Sequence, residues 1–129
     1  MKYIKLYEEI DKDSVIYKMQ TIRDILLEVE DIGYETIVSN NYLAIQKWNN
    51  NFNDAENKIN FGEVKDCLLR LKDYLGGRYI SCSIFCSDPV YAHGTKIYVT
   101  EWKQIRLDEN ININSSTEIR KIGIFFYSF

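Results

Sequence analysis

The sequence predicts an α+β domain in which two amphipathic helices lie on one face of an antiparallel β-sheet. Three observations point there. Two segments carry apolar side chains at helical spacing, and each runs into glycine. Runs rich in β-branched and aromatic residues follow each segment. The two segments also resemble one another: Ile22 to Asp31 and Val64 to Asp73 share an Asp, a Leu-Leu pair and a closing Asp at equal offsets. The resemblance predicts two helix-then-hairpin units side by side. It has two readings, a structural repeat about a pseudo-twofold or convergence, because Asp-x-Leu-Leu recurs easily in amphipathic helices. With 129 residues, the chain 1–129 fits one domain.

Residues 2 to 7, Lys-Tyr-Ile-Lys-Leu-Tyr, alternate as a short edge strand does. Asp13-Ser14 offers an N-cap before Val15. Ile22, Ile25, Leu26, Val29 and Ile32 then form an apolar helical stripe opposite Arg23, Asp24, Glu28 and Glu30. Gly33 ends this helix, since it takes a left-handed cap without a Cβ penalty. Tyr34 to Ser39 and Tyr42 to Trp48 read as strands joined at Asn40-Asn41, Asn being tolerant of positive φ. Residues 49 to 60 are polar and aperiodic, hence a surface loop. The second helix spans Phe61 to Leu75, with Val64, Cys67, Leu68, Leu71 and Leu75 on its apolar face, and Gly76-Gly77 stops it.

Arg78 to Cys86 reads as a strand, with Tyr79, Ser81, Ser83 and Phe85 on one face and Ile80, Cys82, Ile84 and Cys86 on the other. Ser87 to Gly94, holding the sole proline, reads as a loop. Thr95 to Leu107 is a long or bent strand. Ile111 and Ile113 suggest a short extra strand within polar surroundings. Glu118 to Tyr127 is too apolar to lie uncovered, and Gly123 to Phe129 offers an edge on which a second copy would pair.

The formal charge is −3, unevenly placed: residues 1–60 carry seven basic and eleven acidic side chains, residues 61–129 nine and eight. Such a balance opposes non-specific nucleic-acid binding, which needs a basic face. Three cysteines and an N-terminus that turns acidic within nine residues predict free thiols and a cytoplasmic location. No apolar run approaches a membrane span.

Cys67, Cys82, Cys86 and His93 are the residue types of a zinc site, but Cys82 and Cys86 stand about 13 Å apart on an extended strand. Core burial of the cysteines is the expectation, with neither a metal nor a cofactor. His93 lies close in sequence to Asp88 and Tyr91, where a loop would bring an acid, a phenol and an imidazole to one ligand. No nucleophile elbow or phosphate loop accompanies them: Gly76-Gly77 follows a helix, the end that repels anions. The aromatic content of 14% is the remaining pattern, and Trp48, Tyr91, Tyr98 and Trp102 are candidate anchors for a partner. Lys96, Lys103, Arg106, Arg120 and Lys121 would have to supply the basic groove that a stacked single strand requires.

The helix-Gly-strand cadence of Ile22 to Ser39 and Val64 to Ser81, with Ile/Asn-rich stretches such as Glu109 to Asn114, resembles the small accessory proteins of bacteriophages and mobile elements. That resemblance implies a protein that occludes a host or defence protein. The expectation is a non-enzymatic binding or inhibitor protein using Trp48, Asp88, Tyr91, His93 and Trp102, with a homo-oligomer also open. Two rivals remain: a small-ligand or nucleotide binder, or small enzyme, built on residues 87–94, and a module for single-stranded nucleic acid.

Overall fold

The computed structural model describes residues 14–47, 58–114 and 116–129. Trp48, the strand expected at residues 2 to 7 and most of the loop at 49 to 60 lie outside them. In chain order the elements are α1 (Val15–Ile32), β1 (Glu35–Val38), β2 (Tyr42–Gln46), α2 (Phe61–Leu75), a 3₁₀ turn (Gly76–Arg78), β3 (Tyr79–Ala92), β4 (Thr95–Ile105) and β5 (Glu118–Phe126). The five strands form one antiparallel sheet in the order β1-β2-β5-β3-β4.

Both of these helices, α1 and α2, begin where a side chain satisfies the backbone and end where the amide of a glycine does. Ser14 Oγ accepts from the Tyr17 amide at 3.1 Å. Gly33, at φ 112°, donates its amide to Glu30 O, and the next amide, Tyr34, donates to Val29 O. This pair of bonds satisfies two of the last carbonyls and turns the chain into β1. Asn60 Oδ1 caps α2 through the Gly62 amide at 3.1 Å, while the Asn60 amide itself donates to the Tyr34 hydroxyl at 3.1 Å. One buried tyrosine thereby joins the end of α1 to the start of α2.

The core lies between the helices and one face of the sheet. Ile22, Leu26 and Val29 of α1 and Val64, Cys67, Leu68 and Leu71 of α2 have no exposed surface, and they meet Leu43, Ile45, Cys82, Ile122 and Ile124 of the sheet. Ile32, expected on the same stripe, remains about half exposed at the end of α1. In the two similar segments Ile22 and Val64, Leu26 and Leu68, and Val29 and Leu71 are equally buried, whereas Ile25 is only half-buried where Cys67 is fully buried. The hairpins that follow are not equivalent. In the first unit the leading strand is at the sheet edge, whereas in the second it is the trailing one. A twofold through β5 would exchange β2 with β3, a trailing strand with a leading one.

Three local expectations are corrected. The register shift between Tyr79 and Ser81 against β5 is a bulge, which sets Tyr79 opposite buried Phe126 and leaves Ile80 47% exposed. Ile111 and Ile113 form no strand; they pack half-buried on the core from a segment tied down by Lys72 Nζ to Leu107 O at 2.6 Å and Lys65 Nζ to Glu109 O at 2.8 Å. Finally, β5 is central, so Gly123 to Phe126 has partners on both sides and offers no edge to a second copy. Among the described residues the free edges belong to β1 and β4.

The adjacent leucines of α1 test this layering. Leu26 is fully buried and Leu27 is 49% exposed. Leu26→Ala is expected to cost about 2–5 kcal/mol. Leu27→Ala should stay within about 0.5 kcal/mol of wild type in urea denaturation.

Candidate functional site

The stretch expected as a loop at Ser87 to Gly94 is the outer half of a long hairpin. β3 and β4 pair without interruption from Cys82↔Ile105 to Ala92↔Thr95. β5 accompanies β3 only as far as Ser87↔Glu118, so the last five pairs, from Asp88↔Val99 outward, form a two-stranded ribbon beyond the sheet. Pro89 is tolerated there for a geometric reason. A two-residue turn makes Ala92↔Thr95 a hydrogen-bonded pair, and alternation then makes Pro89↔Tyr98 a non-bonded one. The ring nitrogen of Pro89 faces the side that β5 has vacated, where no ladder bond is lost.

His93 and Gly94 make the turn, with φ of 51° and 78°. Both central positions of such a hairpin turn need positive φ. Among the described residues His93 is the only non-glycine with positive φ, so Asn40-Asn41 makes its turn without it. In that turn Ser39 N donates to Tyr42 O at 2.7 Å.

The proposed acid, phenol and imidazole do not converge. Alternation puts Asp88 on the helix side of the ribbon and Tyr91 on the opposite side, while His93 stands at the tip, about 16 Å from Asp88 along the strand. Asp88 has partners of its own. Its carboxylate accepts from Lys103 Nζ and from Thr117 Oγ1, binding the ribbon base to the segment that leads into β5. These bonds, that from Lys103 first, hold the Asp88 carboxyl below the usual carboxylate range and hold the Lys103 ammonium above its own. Cys86 Sγ lies 4.0 Å from the same carboxylate. Burial, then the Asp88 charge, push its thiol upward, away from the thiolate that nucleophilic chemistry needs.

What the strands do gather is an aromatic surface on the face away from the helices. Phe85 of β3 and Trp102 of β4 are cross-strand partners with ring centroids 5.2 Å apart. Tyr98 lies on the same side two pairs outward, opposite Pro89, and Tyr91 beyond it. At the other end of the face Tyr42 and Phe125 are partners at 4.9 Å, and the Tyr42 ring lies over Gly123, where a Cβ would come within 2.8 Å of it. Exposure is 51% for Trp102, 53% for Tyr98 and 73% for Tyr91, so these rings stand largely in solvent. Trp102 and Tyr91, named as candidate anchors, thus share a face with Tyr98, whereas Asp88 and His93 do not belong to it. Phe85, Tyr42 and Phe125 were missed as members. The period-2 pattern of β3 marks Phe85, and the glycine inside an otherwise apolar β5 marks the close approach of Tyr42.

The face carries Lys96 and Lys121, the first with its ammonium 5.4 Å from the Tyr98 ring centre and the second 5.9 Å from that of Tyr42. A separate groove of about 640 Å³ opens at the start of α2 beside Lys58, Asn60, Lys65, Ile111 and Ile113. Its lysines are engaged, Lys58 with Glu118 at 2.6 Å and Lys65 with Glu109 O. Cys67, Cys82 and Cys86 are buried as free thiols. Among the described residues no group of three or more His, Cys, Asp or Glu side chains is placed to share a metal ion. Among them too, no helix is long and apolar enough to cross a membrane. No known protein family, curated protein or solved structure matches the chain.

Two outcomes test these assignments. His93→Asn keeps a residue that accepts the left-handed turn more readily, so Tm is expected to hold or rise by a few degrees, and His93→Val should lower it. Burial raises the thiol pKa of Cys67 from 9.0 to about 11 and that of Cys82 to about 12. The folded chain holds these protons more tightly than the unfolded one. Their stabilisation is therefore complete below about pH 9 and lost as pH climbs towards 12. Urea midpoints should fall over that window, and by less in Cys82→Ala.

Proposed function

We propose that this chain is a non-enzymatic binding protein that engages another protein through the open face of its sheet, around Phe85, Tyr98 and Trp102. The observation that carries this reading is the collection of large rings on a face no described element covers, with Trp102 51% and Tyr98 53% exposed. Rings of this kind are costly to leave in water and gain most when a partner covers them, and Tyr and Trp dominate the tightest parts of protein interfaces. A protein partner suits the charge better than a nucleic acid does. The whole chain is −3, and the open face offers Lys96 and Lys121 beside Glu35 and Glu118, too few unopposed cations for a phosphate backbone. The role is that of a cytoplasmic accessory or inhibitor protein acting by occlusion on a host or defence protein, in keeping with the style of sequence it resembles.

A second reading has one specific observation behind it. A row of exposed rings on a sheet face, flanked by Lys96 and Lys121, is also the arrangement on which unpaired bases stack. The experiment separates the two. Immobilised wild-type protein and Trp102→Ala are exposed to the same host lysate, and labelled single-stranded DNA is titrated against each at low and high salt. The proposal expects a protein retained by the wild type and lost, at least about tenfold, with Trp102→Ala. It expects no salt-sensitive DNA binding. Equal retention by both proteins, or DNA binding that falls with salt and with the substitution, would contradict it.

A further inference from the structure

The long edge of β4 is the second surface left without a partner among the described residues. All positions from Thr95 to Gln104 are exposed, although they lie in a continuous strand of 11 residues. The direction of its hydrogen-bonding groups follows from the register. Thr95, Ile97, Val99, Glu101 and Lys103 exchange bonds with β3, so Lys96, Tyr98, Thr100, Trp102 and Gln104 aim their backbone N–H and C=O outward. An edge of this length, with Ile97, Tyr98, Val99 and Trp102 39–53% exposed, is a template for another strand.

We infer that the strand it takes is β4 of a second copy, antiparallel, with the twofold axis through Thr100. The side chains select this occupant and this register. With Thr100 on the axis, Tyr98 of each copy stands opposite Trp102 of the other, giving two cross-copy aromatic pairs on the open face. On the helix face Ile97 meets the alkyl stem of Lys103 and Val99 meets Glu101, and no like charges stand directly opposed. The outward groups of the two strands then satisfy one another in about ten hydrogen bonds. Moving the axis one residue onto Glu101 sets two carboxylates side by side, which is destabilising. Moving it one residue onto Val99 separates Tyr98 from Trp102 and sets Glu101 against Ile97. The result is a ten-stranded sheet with both helix layers on one side and one continuous aromatic face on the other. The inference rests on the edge geometry and stands whether or not that face binds a further protein.

The test is sedimentation equilibrium of the wild type and two variants at micromolar concentration, with two cysteine variants read by cross-linking. The wild type should run as a dimer. Thr100→Lys brings two ammonium groups together on the axis and should raise the dimer dissociation constant at least about tenfold. Thr100→Pro removes an outward N–H that the β3 ladder does not use, and should give a monomer with unchanged far-UV circular dichroism. Thr100→Cys should form an inter-copy disulfide on oxidation while Lys96→Cys does not, because only residues on the axis face their own copies. A wild-type monomer at these concentrations, a dimer unaffected by both Thr100→Lys and Thr100→Pro, or cross-linking no greater at Thr100→Cys than at Lys96→Cys, would overturn the inference. Thr100→Pro also separates the two surfaces: a folded monomer that still captures the lysate partner leaves the open-face reading intact.

Discussion

Insertion of β5 between β2 and β3 is the constraint on which everything else depends. The chain is built as two helix-and-hairpin units, β1 with β2 and β3 with β4, and the strands of these units share no ladder with one another. β5 supplies both missing ladders, through Tyr42↔Phe125 to Gln46↔Lys121 on one side and Tyr79↔Phe126 to Ser87↔Glu118 on the other. It also brings Ile122, Ile124 and Phe126 under the helices, almost wholly buried. Without it each unit would be a helix over a single hairpin, with no ladder joining one unit to the other.

The position of β5 also decides what is left exposed. A central last strand makes β1 and β4 the edges among the described strands. The two described helices lie on one face, so among the described residues Phe85, Trp102, Tyr98, Tyr42 and Phe125 gather on the other. β5 ends its pairing at Ser87, which sends the tip of the β3–β4 hairpin into solvent. The Asp88–Lys103–Thr117 contacts sit at that divergence and hold the ribbon base to the chain leading into β5. The open aromatic face and the exposed edge of β4 are thus consequences of strand order rather than of any one residue.

Much of this was legible in the sequence, for local reasons. Helical periodicity identified Ile22, Leu26, Val29 and the whole face of α2, because within a helix the spacing of apolar side chains sets which face is buried. Ser14, Gly33 and the end of α2 at Gly76 were readable from capping chemistry. The buried Cys82 and Cys86 followed from their alternation in β3. What failed was non-local. Pro89 suggests a loop unless one knows that β5 stops pairing two residues earlier. Ile80 reads as buried unless a bulge is known to shift it. Gly123 to Phe129 reads as an edge because no local feature says how many neighbours a strand has. The site failed the same way: proximity in sequence put Asp88, Tyr91 and His93 together, while an extended ribbon separates them by face and by distance.

The central claim is that β5 is the innermost strand and that β4 ends the sheet within one chain. Residue-resolved amide hydrogen exchange on dilute protein tests it most directly. The account predicts the slowest exchange at Ile122 and Ile124, and along β4 an alternation in which Ile97, Val99, Glu101 and Lys103 are protected while Tyr98, Thr100 and Trp102 exchange freely. Fast exchange across β5, or uniform protection along β4 at the lowest concentration, would contradict it.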